Sequence, residues 1–191
     1  MRQSSIEILL RTKKTIFAIQ ELAFFWKINN PNTLKSKIYF LAKNKKLIPL
    51  RKGIYTPISN YDKFELAGKL KSPSYVSLET VLYKGGIIFQ YSTDITSISN
   101  VTKSIRCKGI NYVYHKLKDE ILFNKSGLEI FDNYYLATVE RAFLDTIYLN
   151  KNYYFDNLQP INWERCFSLV EIYKNKALIK RLKEYHKDYV R

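Results

Sequence analysis

One stretch presents polar and basic side chains at a spacing suited to recognising nucleic acid. Its residues are Asn32, Lys35, Ser36, Tyr39 and Lys43. All but Lys35 recur at intervals of three or four, which places them on one side of an α-helix. Their amide, hydroxyl and ammonium groups can hydrogen-bond base edges in a DNA groove or the adjoining phosphates. The chemistry indicated is therefore recognition of a duplex rather than catalysis.

A basic turn follows this stretch directly. Short apolar runs at 47–50 and 54–56 flank Arg51-Lys52-Gly53, whose glycine can take a positive φ, and this pattern predicts a β-hairpin. We expect the basic side chains at and before the turn to hold backbone phosphates: Lys45, Lys46, Arg51 and Lys52. A helix followed by a basic hairpin is the DNA-contacting half of a winged helix-turn-helix.

The elements that must position these residues are also visible in the pattern. Asn30 is a suitable N-cap and Pro31 suits a first helical turn, so a helix is predicted from there to about residue 44. Its buried side repeats at helical spacing through Leu34, Ile38, Leu41 and Ala42. Upstream, helices over 4–12 and from Ala18 onward flank an extended segment at 15–17. This is the element order of a winged-helix module.

The positive charge is concentrated in the same region. The chain of 191 residues has a net charge of +15. Residues 1–60 contribute +10, residues 61–150 contribute +1 and residues 151–191 contribute +4. Such a gradient favours a polyanionic partner, most simply duplex DNA, over a charged surface that only confers solubility. The basic side chains near the C-terminus, Lys180, Arg181, Lys183 and Lys187, are interpreted as a solvated face.

Motifs for catalysis, metals or cofactors are not found. No glutamate is followed two positions later by lysine, as a restriction-type nuclease centre requires, and His115 and His186 are the only histidines. Neither GxSxG nor a glycine-rich nucleotide loop occurs. We therefore expect no enzyme, no metal and no cofactor. An unfamiliar nuclease site would have to draw on scattered carboxylates, for which ion pairs or helix-end roles are favoured: Asp94, Glu129, Glu140 and Asp145.

Two further patterns bear on location. Cys107 and Cys166 are far apart and outside any CxxC pair, which is typical of reduced thiols. The apolar run from Leu22 to Trp26 is far too short to span a membrane, and no leading stretch has signal-peptide length. The sequence predicts a soluble cytoplasmic protein that makes no membrane contact.

The predicted fold class is α+β. A winged-helix domain over 1–60 and a connecting helix over 61–72 precede a C-terminal domain over 73–191 with a mostly antiparallel sheet. In that domain Ser77 is expected to cap a short helix that stops at Gly85-Gly86, and β-prone runs occupy 87–136. Thr138 is expected to cap a helix in which Glu140 and Arg141 could point in or out. Two further helices are predicted over 162–173 and 175–189.

Three stretches together carry a family resemblance. They are FAIQELAFFWKINNPNTLKSKIYFLAKNKKLIPLRKGIYTP, SYVSLETVLYKGGI and LATVERAFLDTIYL, which with the β-rich region between them cover nearly the whole chain. In these stretches the chain resembles the AbiEi family, the antitoxins of abortive-infection E toxin–antitoxin systems. Members usually have Pro-Glu-Lys-Ala where this chain has Val139-Glu140-Arg141-Ala142, and often His-Gly in place of Gly85-Gly86.

The resemblance implies a role in phage defence. Such antitoxins repress their own operon by binding inverted repeats at its promoter, and their C-terminal domain is linked to neutralising a nucleotidyltransferase-like toxin. The residues alone support only the DNA-binding half of this role. The alternatives are a winged-helix regulator with a ligand-sensing C-terminal domain and, less favoured, a nuclease.

Overall fold

The computed structural model describes residues 4–131 and 133–190, and the chain divides into two compact units, Met1–Leu70 and Lys71–Arg191. Unit 1 contains four helices and three short strands within its described part. In chain order they are α1 (Ser5–Leu10), β1 (Phe17–Ala18), α2 (Ile19–Trp26), α3 (Pro31–Lys43), β2 (Ile48–Arg51), β3 (Ile54–Thr56) and α4 (Lys63–Leu70). No helix in the described ranges is both long enough and apolar enough to cross a membrane.

Side-chain caps set the starts of α1 and α3. Ser4 and Glu7 form a reciprocal capping box at α1. At α3 the Asn30 carboxamide oxygen accepts the N–H groups of Asn32 and Thr33, and Pro31 occupies the first turn. The predicted Asn30 cap is thus confirmed. It fixes where α3 begins.

The core of unit 1 forms where the apolar sides of its helices meet the first strand. The buried residues of this core are Leu9, Phe17, Leu22, Trp26, Leu34, Ile38, Leu41 and Leu47. The inward residues of α3 are those that the sequence periodicity predicted, except that Ala42 is only partly buried. Burying this side leaves the opposite side of α3 for solvent.

The three strands of unit 1 form an antiparallel sheet in the order β1-β3-β2. A bulge between Pro49 and Arg51 adds one residue to β2, and Leu50 within it is buried while Arg51 is exposed. Gly53 closes the β2–β3 turn with φ +81°, a conformation that side-chain-bearing residues rarely adopt. The short turn therefore holds Arg51 and Lys52 out from the sheet.

Helix α4 is attached to the rest of unit 1 by a buried carboxylate. Glu65 accepts hydrogen bonds from the Thr15 N–H at 2.8 Å, the Thr15 hydroxyl at 2.7 Å and the Ile16 N–H at 3.3 Å. Burial raises the pKa of Glu65, and these hydrogen bonds oppose the rise. The segment predicted as a connector between domains thus makes hydrogen bonds within unit 1.

Unit 2 is built on a six-stranded mixed sheet in the order β6-β7-β5-β4-β9-β8. Its strands are β4 (Ser74–Val76), β5 (Ile95–Ser99), β6 (Lys103–Cys107), β7 (Ile110–Lys116), β8 (Leu128–Phe131) and β9 (Tyr134–Ala137). The pairs β4–β5, β6–β7 and β8–β9 are antiparallel, and β5–β7 and β4–β9 are parallel. The sheet is therefore mostly antiparallel, as predicted.

Helices complete unit 2. They are α5 (Glu79–Lys84), α6 (Asp119–Leu122), α7 (Val139–Leu149), α8 (Trp163–Leu169), a 3₁₀ turn (Val170–Tyr173) and α9 (Lys176–Val190). The Thr138 hydroxyl accepts the Arg141 N–H at the start of α7, which confirms the predicted cap. The α+β class with C-terminal helices is confirmed as well.

One predicted cap is wrong. Helix α5 starts at Glu79, and its N-cap position is Leu78 with φ 58° and ψ −139°. Ser77 lies one residue earlier and is buried, and its hydroxyl donates to Asp145 Oδ2 at 2.8 Å. The sequence pattern places Ser77 at the nearest helix start. The group that accepts its hydroxyl hydrogen bond, the Asp145 carboxylate, is 68 residues away in sequence.

Candidate nucleic-acid interface

The polar side of α3 lies on the surface of unit 1. Asn32, Lys35, Ser36, Tyr39 and Lys43 are all exposed, and Tyr39 keeps 67% of its accessible surface. None of their side chains bonds to another residue within 4–131 or 133–190. These donors and acceptors can therefore reach a ligand without first breaking an internal hydrogen bond.

The basic residues after α3 are exposed in the same way. Lys45 and Lys46 lie in the connection from α3 to β2, and Arg51 and Lys52 lie at the β2–β3 turn. None of the four forms an ion pair in the described part of the chain. Cationic side chains of this kind are suited to contacts with phosphate oxygens.

One cationic side chain of α3 is not free to contact a ligand. Lys37 is only partly exposed, and its ammonium nitrogen lies 4.8 Å from the centre of the Trp26 ring. Partial burial lowers the pKa of Lys37. The indole N–H of Trp26 donates in turn to the Ser5 carbonyl at 2.9 Å. Lys37 thus helps to pack α3 against α2, which distinguishes it from the exposed cations of the candidate interface.

An ion-pair cluster centred on Glu21 connects α2 to α4 and to the segment before β1. Glu21 on α2 accepts from Lys14 at 2.6 Å and from Lys69 of α4, at 2.7 Å to each carboxylate oxygen. It also accepts the Ala18 N–H at 2.8 Å. Partial burial would raise the pKa of Glu21, but the lysine and backbone hydrogen bonds outweigh that effect and lower it.

Unit 2 contains a buried polar network that sequence reasoning did not predict. Arg141 and Asp145 of α7 are both fully buried, and Arg141 Nε lies 3.4 Å from Asp145 Oδ1. Hydroxyl groups donate to the Asp145 carboxylate from Tyr75, Ser77 and Tyr173, with the Tyr173 bond the shortest at 2.6 Å.

Arg141 fills its remaining hydrogen-bond positions with backbone and hydroxyl oxygens. It donates to the carbonyls of Ser126 and Ile121, both at 2.8 Å, and to the Tyr75 hydroxyl at 3.0 Å. Burial alone would lower the pKa of Arg141, but the neighbouring Tyr173, Asp145 and Tyr75 reverse the direction and raise it. The spacing of Arg141 and Asp145 was the one local signal for this pair. Nothing local indicated the tyrosines.

The four candidate carboxylates for an unfamiliar catalytic site do not form one cluster of acids. Asp94 accepts from Asn111, Asp145 belongs to the buried network, Glu140 pairs with Arg165 at 3.7 Å, and Glu129 is exposed on β8. No group of three or more His, Cys, Asp or Glu residues in the described ranges is arranged to hold a metal ion.

Comparisons with known proteins leave the family resemblance untested. No protein-family model matches the chain, and no curated protein matches it.

Proposed function

We propose that the protein is a DNA-binding transcriptional regulator whose unit 1 acts as a winged helix-turn-helix. The observation that carries the proposal is that all nine residues selected from the sequence are exposed and that their side chains have no internal partner within the described chain. In this proposal α3 enters the major groove, with its amide and hydroxyl groups toward base edges. The β2–β3 hairpin contacts the sugar-phosphate backbone.

The two parts of the surface have separable roles. Arg51 and Lys52 offer charge but little geometric selectivity, so they supply affinity for any duplex. Ser36 and Tyr39 carry no charge at neutral pH and contribute selectivity among sites. Loss of the hairpin cations therefore weakens binding to all sequences, whereas loss of either α3 side chain changes the order of preference among them.

A salt series tests the role of the hairpin. We expect Arg51→Ala with Lys52→Ala to weaken duplex binding and to reduce the slope of log affinity against log salt by about one to two, because each lost phosphate contact removes about 0.9. The measurement is a mobility-shift titration at several salt concentrations, using duplexes from the protein's own promoter and of unrelated sequence.

The chain supplies a matched control for this experiment. Arg106 and Lys108 precede Gly109 at the β6–β7 turn of unit 2, and Gly109 has φ +82°, close to that of Gly53. Arg106→Ala with Lys108→Ala removes the same two charges from a similar hairpin, and we expect the salt slope to stay unchanged. An unchanged slope in the Arg51 and Lys52 variant, or an equal reduction in both variants, would refute the proposed interface.

The resemblance extends the proposal to an antitoxin that represses its own operon and neutralises a nucleotidyltransferase-like toxin. Co-expression with the neighbouring gene tests this part. If that gene is toxic, we expect the protein to restore growth from an unrelated promoter. The Arg51→Ala, Lys52→Ala variant should also restore growth, because under that promoter autorepression has no part in the rescue. If the unaltered protein fails to restore growth against a toxic neighbouring gene, the antitoxin part of the proposal is refuted and only the DNA-binding regulator remains.

A further inference from the structure

Unit 2 contains a cavity of about 320 Å³ with charged walls. Helix α5, strand β9, the start of α7 and helix α8 contribute to its lining. The lining includes the charged residues Lys84, Glu129, Glu140 and Arg165, together with Thr138 and Val139. Its volume lies near the lower end of the range of roughly 300–1,000 Å³ that is usual for small-molecule pockets.

Glu140 is the most buried charged group of this cavity. It is only 7% exposed, and its side chain accepts no hydrogen bond from the residues that the structure describes. Its single ionic partner is Arg165, whose guanidinium nitrogen lies 3.7 Å away and whose side chain is 51% exposed. A buried carboxylate usually accepts several hydrogen bonds. Glu140 therefore has acceptor capacity for a cationic group that enters the cavity.

The start of α7 supplies backbone N–H groups with partial positive charge, opposite in sign to the Glu140 carboxylate. Thr138 accepts the N–H groups of Arg141 and Ala142, through its hydroxyl and its carbonyl respectively. The N–H groups of Val139 and Glu140 precede these and have no acceptor in the described part of the chain. Helix α7 has 11 residues, and the N-terminus of a helix this long favours an anionic group. Arg165 adds a full positive charge nearby.

The cavity wall thus offers sites for both signs of charge. A simple anion would have to approach the Glu140 carboxylate, and a simple cation would have to approach Arg165. A molecule that carries an ammonium and a carboxylate on the same carbon atom avoids both repulsions. From this arrangement we infer that the cavity binds a free α-amino acid or a close zwitterionic analogue. The ammonium group lies against Glu140 and Glu129, and the carboxylate against Arg165 and the α7 N-terminus.

Binding at this cavity is independent of the DNA-binding proposal and is tested on the whole protein. Each of the standard free amino acids is added at about 10 mM in a thermal-shift screen, and a positive one is titrated by calorimetry. We expect at least one to bind saturably. Sodium acetate and methylammonium chloride, each with one of the two charges, should not reproduce the shift.

Substitution at the buried carboxylate locates the site. Glu140→Gln keeps the shape of the side chain but removes its charge, and we expect it to weaken binding by tenfold or more, as loss of a charge-assisted contact does. Glu184→Gln is the control, since Glu184 also pairs with a cation, Lys180 at 3.9 Å, but is exposed on α9 and does not line the cavity. It should bind as the unaltered protein does.

Three results would overturn the inference. They are the absence of binding by every amino acid tested, equal binding by Glu140→Gln, and equal shifts with acetate or methylammonium alone. If circular dichroism shows that Glu140→Gln is unfolded, Arg165→Gln takes its place, because Arg165 is half exposed and lines the same cavity. The same tenfold weakening is then expected, and its absence is equally decisive.

Discussion

At the scale of single residues, buried charges are the costliest groups in this protein, and Arg141 and Asp145 are each stabilised by several partners. Arg141 is the largest fully buried side chain of the described residues, yet Asp145, the Tyr75 hydroxyl and two carbonyls receive its hydrogen bonds. Removing Arg141 or Asp145 alone would leave the other charge buried without its ionic partner, which typically costs about 3–5 kcal/mol. The network therefore connects α7 to β4 through the Tyr75 hydroxyl.

Glu21 in unit 1 gives a testable pH dependence. Its pKa in the folded chain lies below the ordinary value of 4.5, because the bonds from Lys14 and Lys69 outweigh the effect of burial. A depressed carboxylate pKa adds stability above the unfolded-state value, and this stability is lost as the pH falls through the folded-state value. We expect Glu21→Gln to lower the unfolding free energy of unit 1 by about 1 kcal/mol near pH 7, and by less below about pH 4.

Urea unfolding followed by Trp26 fluorescence, in a Trp163→Phe background, isolates the signal of unit 1. Lys69→Met is the companion variant, since Lys69 donates to both carboxylate oxygens. It should reproduce most of the loss near neutral pH and the same convergence with the unaltered protein in acid. A difference that stays constant from about pH 7 to about pH 3 would contradict the ion-pair explanation.

At the scale of helices and strands, the elements that could be predicted are those specified by nearby residues. Helix α3 has its cap at Asn30, and its apolar repeat places the polar side outward. The β2–β3 turn has its glycine where the backbone requires a positive φ. Because these signals are local, the nine candidate interface residues could be selected from the predicted helix and the basic turn that follows it. The structure places all of them at the surface.

Elements specified by distant partners could not be predicted in this way. Strands β4 and β9 are short, and they are defined by pairing with each other and with β5 and β8. In α7 the residues from Glu140 to Ile147 are all buried, including the polar Arg141 and Asp145, so the polar positions of this helix do not mark an exposed side. The cavity likewise joins residues between Val81 and Arg165 that no motif links.

At the scale of the whole molecule, the position of the positive charge distinguishes a nucleic-acid interface from a generally basic surface. The chain has a net charge of +15, of which residues 1–60 carry +10. A generally basic protein would attract DNA in proportion to total charge, wherever that charge lies. A protein with one interface should respond only to charges at that interface. Two helices with exposed lysines allow these possibilities to be compared.

Lys43 on α3 and Lys46 just after it are exposed, as are Lys183 and Lys187 on α9. Each alanine pair removes two positive charges, so their effects on total charge are equal. We expect Lys43→Ala with Lys46→Ala to reduce the salt slope of duplex binding by about one to two, and Lys183→Ala with Lys187→Ala to change it by less than about 0.3. The measurement is fluorescence anisotropy with a labelled duplex over a range of salt concentrations. Equal reductions would mean that α9 also contacts the duplex or that binding follows total charge, and either result would remove the reason for assigning DNA recognition to unit 1.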